Sequence, residues 1–386
     1  MHPSVLRHIH AARIFHAIRL RPNMSQREIA EMTGADKSTV SAVIRGFATE
    51  GLIERSKRAT GKRPGRPGER IALSRGGGLL VGVHPRPEGV RFVVSGLDGE
   101  PMRTLTRELP RPDRLGSVVA NGIAAVTRAA GCRAEVVRAV GVAVPGLCSR
   151  DGVLTQSPNL AWKDVPLGRI LRDAIGLPLY LDNNANAAAI AEFLFGGGID
   201  GEDFAYVESG SGVGAGLFLD GSLYRGAAGF AGEFGHTKVV PQGRPCRCGA
   251  LGCVSAYASD YSILQRLRQK GVTAASVGDV VRFAAAGDAV TLAVVREASR
   301  HLGTGLANLV NLLNLRLFIL GGGLAVLAPY LMPGIEEALH DLALPSAAAG
   351  CRIEPSRINA SEMPRGGLAL ALQGCTSLSE TDAAPW

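Results

Sequence analysis

The chain has 386 residues, of which 46% are hydrophobic and only 5% aromatic, with 50 glycines; that is long enough for two or three cores and too apolar for a disordered chain. There is no run of eighteen apolar residues, which excludes a helical membrane span, and the basic start "MHPSVLRHIHAARIFHAIR" lacks the apolar stretch and small-residue cleavage site of a secretion signal. The net charge of +8 is lopsided: residues 1–75 hold 15 Lys and Arg against 6 Asp and Glu, and the remainder is close to neutral, an asymmetry that points to nucleic acid.

In chain order, "RIFHAIRL" predicts a helix with Ile14, Phe15, Ile18 and Leu20 on one side, ended by Pro22 and Asn23. "MSQREIAEMTG" predicts a second helix, with Ser25 as N-cap, Glu28 closing a capping box and Gly34 as the stop. The third, "ADKSTVSAVIRGFATEGLI", carries an apolar stripe of Val40, Val43, Ile44 and Phe47. Lys37, Ser38, Thr39, Ser41 and Arg45 face outward, and hydroxyls with basic groups are what phosphates and base edges accept. Two short helices around a glycine turn, the second basic outside, form a helix-turn-helix. Two apolar runs, at Leu52-Ile53 and Ile71-Ala72-Leu73, then flank "GKRPGRPG" as a β-hairpin wing. In it, prolines hold Arg63 and Arg66 in extended backbone suited to a narrow minor groove.

Beyond Arg75 the composition changes. Hairpin strands up to "LDG", a buried strand "AVGVAVPGL", a strand running into the alanine-rich helix "DNNANAAAIAEF", a strand–glycine–strand unit "FAYVESGSGVGAGLFLDG" and a helix–strand–glycine unit "LVNLLNLRLFILGGG" predict a two-lobed α/β fold. The cysteines number seven, and three of them crowd into residues 246–253 near His236. An odd count with such crowding fits a reducing, cytoplasmic compartment and a metal better than a disulfide framework. Three thiolates and one imidazole, from His236, Cys246, Cys248 and Cys253, make a closed tetrahedral set with no position left for water, hence a structural and not a catalytic metal.

Taken together, "VAVPG", "SPNLAW", "DNNANAAAIAE", "GSGVGAGLFLDGSLYRGAAGFAGEFGH", "CRCGALGC" and "ILGGG" resemble the ROK family of repressors, open reading frames and sugar kinases over about residues 76–375, and the preceding helix-turn-helix resembles its repressor branch. The resemblance implies an actin-like (ribonuclease H-like) fold with sugar bound between lobes, dimers or tetramers, and zinc on the four residues just named. It also implies hydrogen bonds to sugar hydroxyls from Asn159, Asn183, Glu233 and His236. The expected domains are a winged helix-turn-helix at 1–75, a first lobe at 76–184 completed by a C-terminal helix near 360–375, a second lobe at 185–359, and a disordered tail at 376–386.

Three departures from the family's kinases argue against catalysis. The first phosphate loop reads His84-Pro85-Arg86-Pro87, without the glycines that let backbone approach phosphate. Asn184 replaces the kinases' catalytic aspartate; an amide binds a hydroxyl but does not accept its proton. Ser255 stands where a glutamate is usual. The expected function is a sugar-responsive DNA-binding regulator, a repressor, with double-stranded operator DNA and a sugar or sugar phosphate as partners. A bifunctional sugar kinase with a DNA-binding arm and a ligand-independent DNA-binding protein are the alternatives.

Overall fold

The computed structural model describes residues 3–57, 69–196, 203–358 and 365–376. Its first three helices follow local sequence signals. Helix Pro3–Leu20 buries Ile14, Phe15 and Ile18. Leu20, expected beside them, is half exposed, because it lies six residues beyond Ile14 and 3.6 residues per turn carry it off that face. Helix Gln26–Thr33 has the expected capping box: the Glu28 amide donates to Ser25 Oγ at 3.3 Å, and the Ser25 amide donates to the Glu28 carboxylate at 2.7 Å. It stops at Gly34, whose φ of +67° is left-handed. Helix Lys37–Thr49 packs Val40 and Ile44 fully inward. Strands Ile53–Lys57 and Glu69–Leu73 pair antiparallel as the base of the wing. Arg63 and Arg66 lie outside the described residues.

The chain divides into two compact units. The first takes residues up to Ala143, Pro166–Asp182 and those from Gly367 on; the second takes Val144–Val165 and Asn183–Gly366. Residues 144–165 thus differ from the sequence expectation of an unbroken first lobe. The reason is that the chain leaves the strand Val137–Val144 to build a small antiparallel sheet of its own, from Leu147–Cys148, Leu154–Ser157 and Trp162–Val165.

In the first unit a five-stranded sheet runs in the order Leu179–Asn183, Val137–Val144, Leu79–Arg86, Gly89–Ser95, Pro101–Arg107. From Gly367 on, helix Arg365–Thr376 lies in this unit. A Cβ on Gly141 would stand 2.0 Å from the Gly367 carbonyl, so helix and sheet touch backbone to backbone only because both residues are glycine. The tail expected from 376 lies, from 377 on, outside the described residues. In the second unit, Phe204–Ser209 pairs antiparallel with Val213–Leu219 and parallel with Leu317–Gly321. Helices Ala289–Leu313 and Gly322–Leu342 bury Leu302, Leu306, Leu324 and Leu331 with that sheet's core. No helix among the described residues is long and apolar enough to cross a membrane.

Two histidines in the first unit, His16 and His84, are expected to make its stability pH-dependent. His16 Nδ1 accepts from Arg19 Nε at 3.3 Å, which leaves the ring proton on Nε2, 3.5 Å from Thr376 Oγ1. Burial first, and the Arg19 cation second, push the imidazole down to about 3. His84, in the sheet beside Arg86 and Arg91, is pushed to about 3 for the same reasons. Both stay neutral in the folded chain and take up protons in the unfolded chain near 6.5. Stability is therefore expected to be full above pH ~6.5 and to fall steadily toward pH ~3, by less than the limiting ~1.4 kcal/mol per pH unit per group, since both rings are partly exposed. Urea midpoints between pH 7.5 and 5 check this. His16→Gln should flatten the dependence, and an unchanged slope would contradict it.

Candidate functional site

Helix Lys37–Thr49 presents Lys37, Ser38 and Arg45 to solvent, with Thr39 and Ser41 half-buried at the edges of that face. Ala42 and Gly46 are also exposed there, four residues apart and so on one side; the sequence reading passed over them because they carry no polar group. The hydroxyls are less free than their composition implied. Asp36 is the N-cap. Its carboxylate accepts from the Ser38 and Thr39 amides, each at 2.9 Å, from Thr39 Oγ1 at 2.6 Å, and from Ser38 Oγ. These bonds hold the Asp36 carboxyl well below the usual carboxylate range and fix the first turn. Ser38 and Thr39 can therefore offer oxygen lone pairs outward but have already committed their protons.

In the second unit, Asn159 and the segment carrying Glu233 and His236 meet one turn, Ser209–Val213, between two strands, and Asn184 meets the residue just before it. Asn159 Oδ1 accepts from Ser211 Oγ at 2.7 Å. Asn184 Nδ2 donates to the Glu208 carboxylate. Asn183 caps helix Asn184–Phe195: its Oδ1 accepts from the Ala185 amide at 2.7 Å, and its Nδ2 donates to the Gly146 carbonyl at 2.6 Å. Asn183 is thus a brace between the helix start and the Pro145-Gly146 turn. Glu233 Oε2 lies 3.8 Å from His236 Nε2, and burial raises the Glu233 carboxyl above its ordinary range. The segment carrying Glu233 and His236 meets the same turn, because a Cβ on Gly235 would stand 1.9 Å from the Val213 carbonyl. Ser255 is buried behind it, accepting from the Val213 amide at 3.0 Å.

The turn carries groups that sequence reasoning missed. Glu208 sits one residue before it and also meets the Tyr206 hydroxyl, 3.4 Å away. Ser209 Oγ donates to Asp260, whose carboxyl burial pushes up to about 6 against the lowering effect of that bond. Arg247 Nη1 reaches the Ser211 carbonyl at 3.5 Å and lies over the Tyr261 ring. Glu208 was visible beside the glycines, but its partner Asn184 is 24 residues away. The glycines of "GSGVGAG" also have a packing role. A Cβ on Gly216 would stand 2.6 Å from Ala189 Cβ, and one on Gly214 3.2 Å from Ala185 Cβ, so glycine against alanine lets strand and helix lie close.

His236, Cys246, Cys248 and Cys253 place their ligand atoms within 4.8 Å of one another. Cys246 Sγ is 3.8 Å from His236 Nδ1, and Cys248 Sγ is 3.8 Å from Cys253 Sγ. Zinc–sulfur bonds of ~2.3 Å in a tetrahedron require sulfur–sulfur edges of about 3.8 Å, the length of the Cys248–Cys253 edge, and the four ligand atoms are near enough to converge on one ion. Lys238 Nζ, 2.8 Å from Cys253 Sγ, places a cation where three thiolates would leave a site of net negative charge.

Comparison with known proteins adds the following. Residues 88–374 match the ROK family and residues 7–64 match the MarR family. The xylose repressor of Caldicellulosiruptor bescii is 26% identical over 374 residues, which is 92% of this chain and 94% of that one. The crystal structure of a ROK family transcriptional regulator, a homolog of the E. coli Mlc protein, superposes with a TM-score of 0.82 at 25% identity, covering 96% of this chain and 97% of that one. A ROK family glucokinase from Streptomyces griseus, solved with glucose and AMPPNP, superposes with a TM-score of 0.65 at 27% identity and is covered completely by 77% of this chain.

Proposed function

The chain belongs to the ROK family, and on that premise we propose that it is a sugar-responsive transcriptional repressor whose sugar-kinase-like domain senses and does not phosphorylate. One observation carries the reading: similarity to a repressor covers 92% of this chain and residues 7–64 match the MarR family, whereas the whole of the glucokinase is covered by 77% of this chain. Lys37, Ser38, Thr39, Ser41 and Arg45 read the major groove, with Arg63 and Arg66 in the flanking minor groove. A two-fold operator calls for at least a dimer of this chain. Asn159, Asn184, Glu233 and His236 bind the sugar, and Asn183 contributes by holding the helix start that presents Asn184. Zinc on His236, Cys246, Cys248 and Cys253 shapes the loop beside them. Arg247 at the same turn is a reason to include sugar phosphates among the ligands.

The test is selection of duplex DNA by the purified chain, followed by anisotropy titrations with D-xylose, D-glucose and their phosphates. One of these ligands is expected to release the selected duplex. Arg45→Ala should cost about 1–3 kcal/mol on the selected duplex, roughly 5- to 150-fold. Lys37→Ala should lower the salt slope by about one. A chain that selects no duplex, or one whose affinity ignores both substitutions, would overturn the reading.

A further inference from the structure

Arg138 lies at the start of the strand Val137–Val144. The parallel register pairs Leu79 with Val137 and Leu80 with Ala139, so Arg138 is the extra residue of a β-bulge. Bulges re-aim the side chain they leave unpaired. Here it crosses the linker into the sheet: Nε donates to the Gly77 carbonyl, and Nη2 donates at 3.1 Å to the carbonyl of Glu50, 88 residues earlier. Glu50 is the C-cap of helix Lys37–Thr49, where carbonyls lack intrahelical partners and the helix dipole is negative. Gly78 clears the path: its φ is +125°, and a Cβ there would stand 2.5 Å from Arg138 Nε.

The linker is tied from the other side as well. The Ser74 amide donates to the Leu52 carbonyl at 2.8 Å, and Ser74 Oγ and the Arg75 amide donate to Glu54 at 3.1 and 3.2 Å. "SRGGG" has the composition of a flexible hinge, yet it is bonded at both ends to the winged domain and the sheet.

We propose that Arg138 is a positioning residue for DNA reading, fastening the C-terminal end of helix Lys37–Thr49 to the five-stranded sheet so that the sheet sets how that helix meets DNA. The planar guanidinium spans two carbonyls on separate segments, which a lysine ammonium on its single stem does less well. This role rests on the DNA reading given above.

Hydrogen–deuterium exchange on the full chain, together with binding to a duplex selected by the wild type, tests it. In Arg138→Ala and Gly78→Ala, the amides of residues 50–52 should exchange at least about tenfold faster while strand Leu79–Arg86 keeps its protection, and Arg138→Lys should fall between. Arg138→Ala should also lose most of its preference for the selected over a random duplex while its random-duplex affinity holds. Unchanged exchange at 50–52, or equal acceleration throughout the chain, would overturn the role. A wild type that selects no duplex overturns the DNA reading and this role with it. A wild type that selects one, matched by an Arg138→Ala chain of equal discrimination, overturns the role alone.

Discussion

Cys253→Ser, or treatment of the purified chain with a strong chelator, is expected to release one zinc ion per chain and to unfold residues 237–253. Cys253 is fully buried, and the apolar cluster beneath the loop is small: Cys246, Cys253, Ala256 and Tyr257, with Val239, Val240 and Ala250 against it, while Val239 also packs on the main core of the second unit. So little apolar surface does not order a loop of this length against its backbone entropy. The backbone bonds that remain, such as Cys246 N to Ala250 O at 2.8 Å and Val254 N to Thr237 O at 3.0 Å, tie the loop to itself and to the residue that closes it. In zinc-finger peptides the metal supplies an apparent ~10–16 kcal/mol at pH 7, and a zinc ion held here would order the loop rather than the whole domain. His236 joins the metal set to Glu233, so effector affinity should fall by about 10- to 100-fold once the loop is lost. Metal analysis, limited proteolysis and ligand titration measure the three effects. A folded, metal-free chain with an intact loop and unaltered ligand affinity would end the proposal.

The second large expectation is an absence that reconstruction does not cure. With ATP and the sugar that the chain binds, turnover should stay far below the ~1–10³ per second of ordinary enzymes. Loss of a general base costs about 10²–10⁴-fold, and Asn184 supplies none. The amide is also engaged, since it donates to Glu208. Asn184→Asp would put a carboxylate against the Glu208 carboxylate and raise the affinity of the pair for a proton instead of making a free base. Phosphate would meet further obstacles. Glu208 and Asp260 set negative charge beside the glycine turn, and a Cβ on Gly323 would stand 2.0 Å from Asp260 Oδ1, so the "GGG" segment packs onto that acid. Pro85 and Pro87 remove amide donors from the first phosphate loop. Asn184→Asp should therefore remain inactive, and Asn184→Asp with Glu208→Thr should stay at least about 10²-fold short of a working kinase. A coupled ATP assay decides, and turnover at an ordinary enzyme rate by the unaltered chain or by Asn184→Asp alone would refute the argument.

Wherever bonding is local, the sequence by itself determined the outcome. Ser25 and Glu28 are three residues apart, so their capping box needs only a helix between them. Gly34 stops that helix because it alone tolerates the left-handed turn at no steric cost. Three cysteines within residues 246–253 gather by spacing, with His236 close enough along the chain to join them as a group that could hold a metal. Ser38 and Thr39 show the limit of that legibility: their positions were plain, but the choice of Asp36 as cap, which takes up their hydroxyl protons, depends on where the helix starts. Only the tertiary structure decided the rest. Asn184 with Glu208, Ser209 with Asp260 and Arg138 with Glu50 are pairs 24, 51 and 88 residues apart. They meet because glycine–alanine and glycine–glycine contacts let helices and strands approach closely, and because a one-residue bulge turns one arginine out of its sheet. Each pairing depends on backbone separation and direction, which follow from how the elements pack and not from any spacing along the chain.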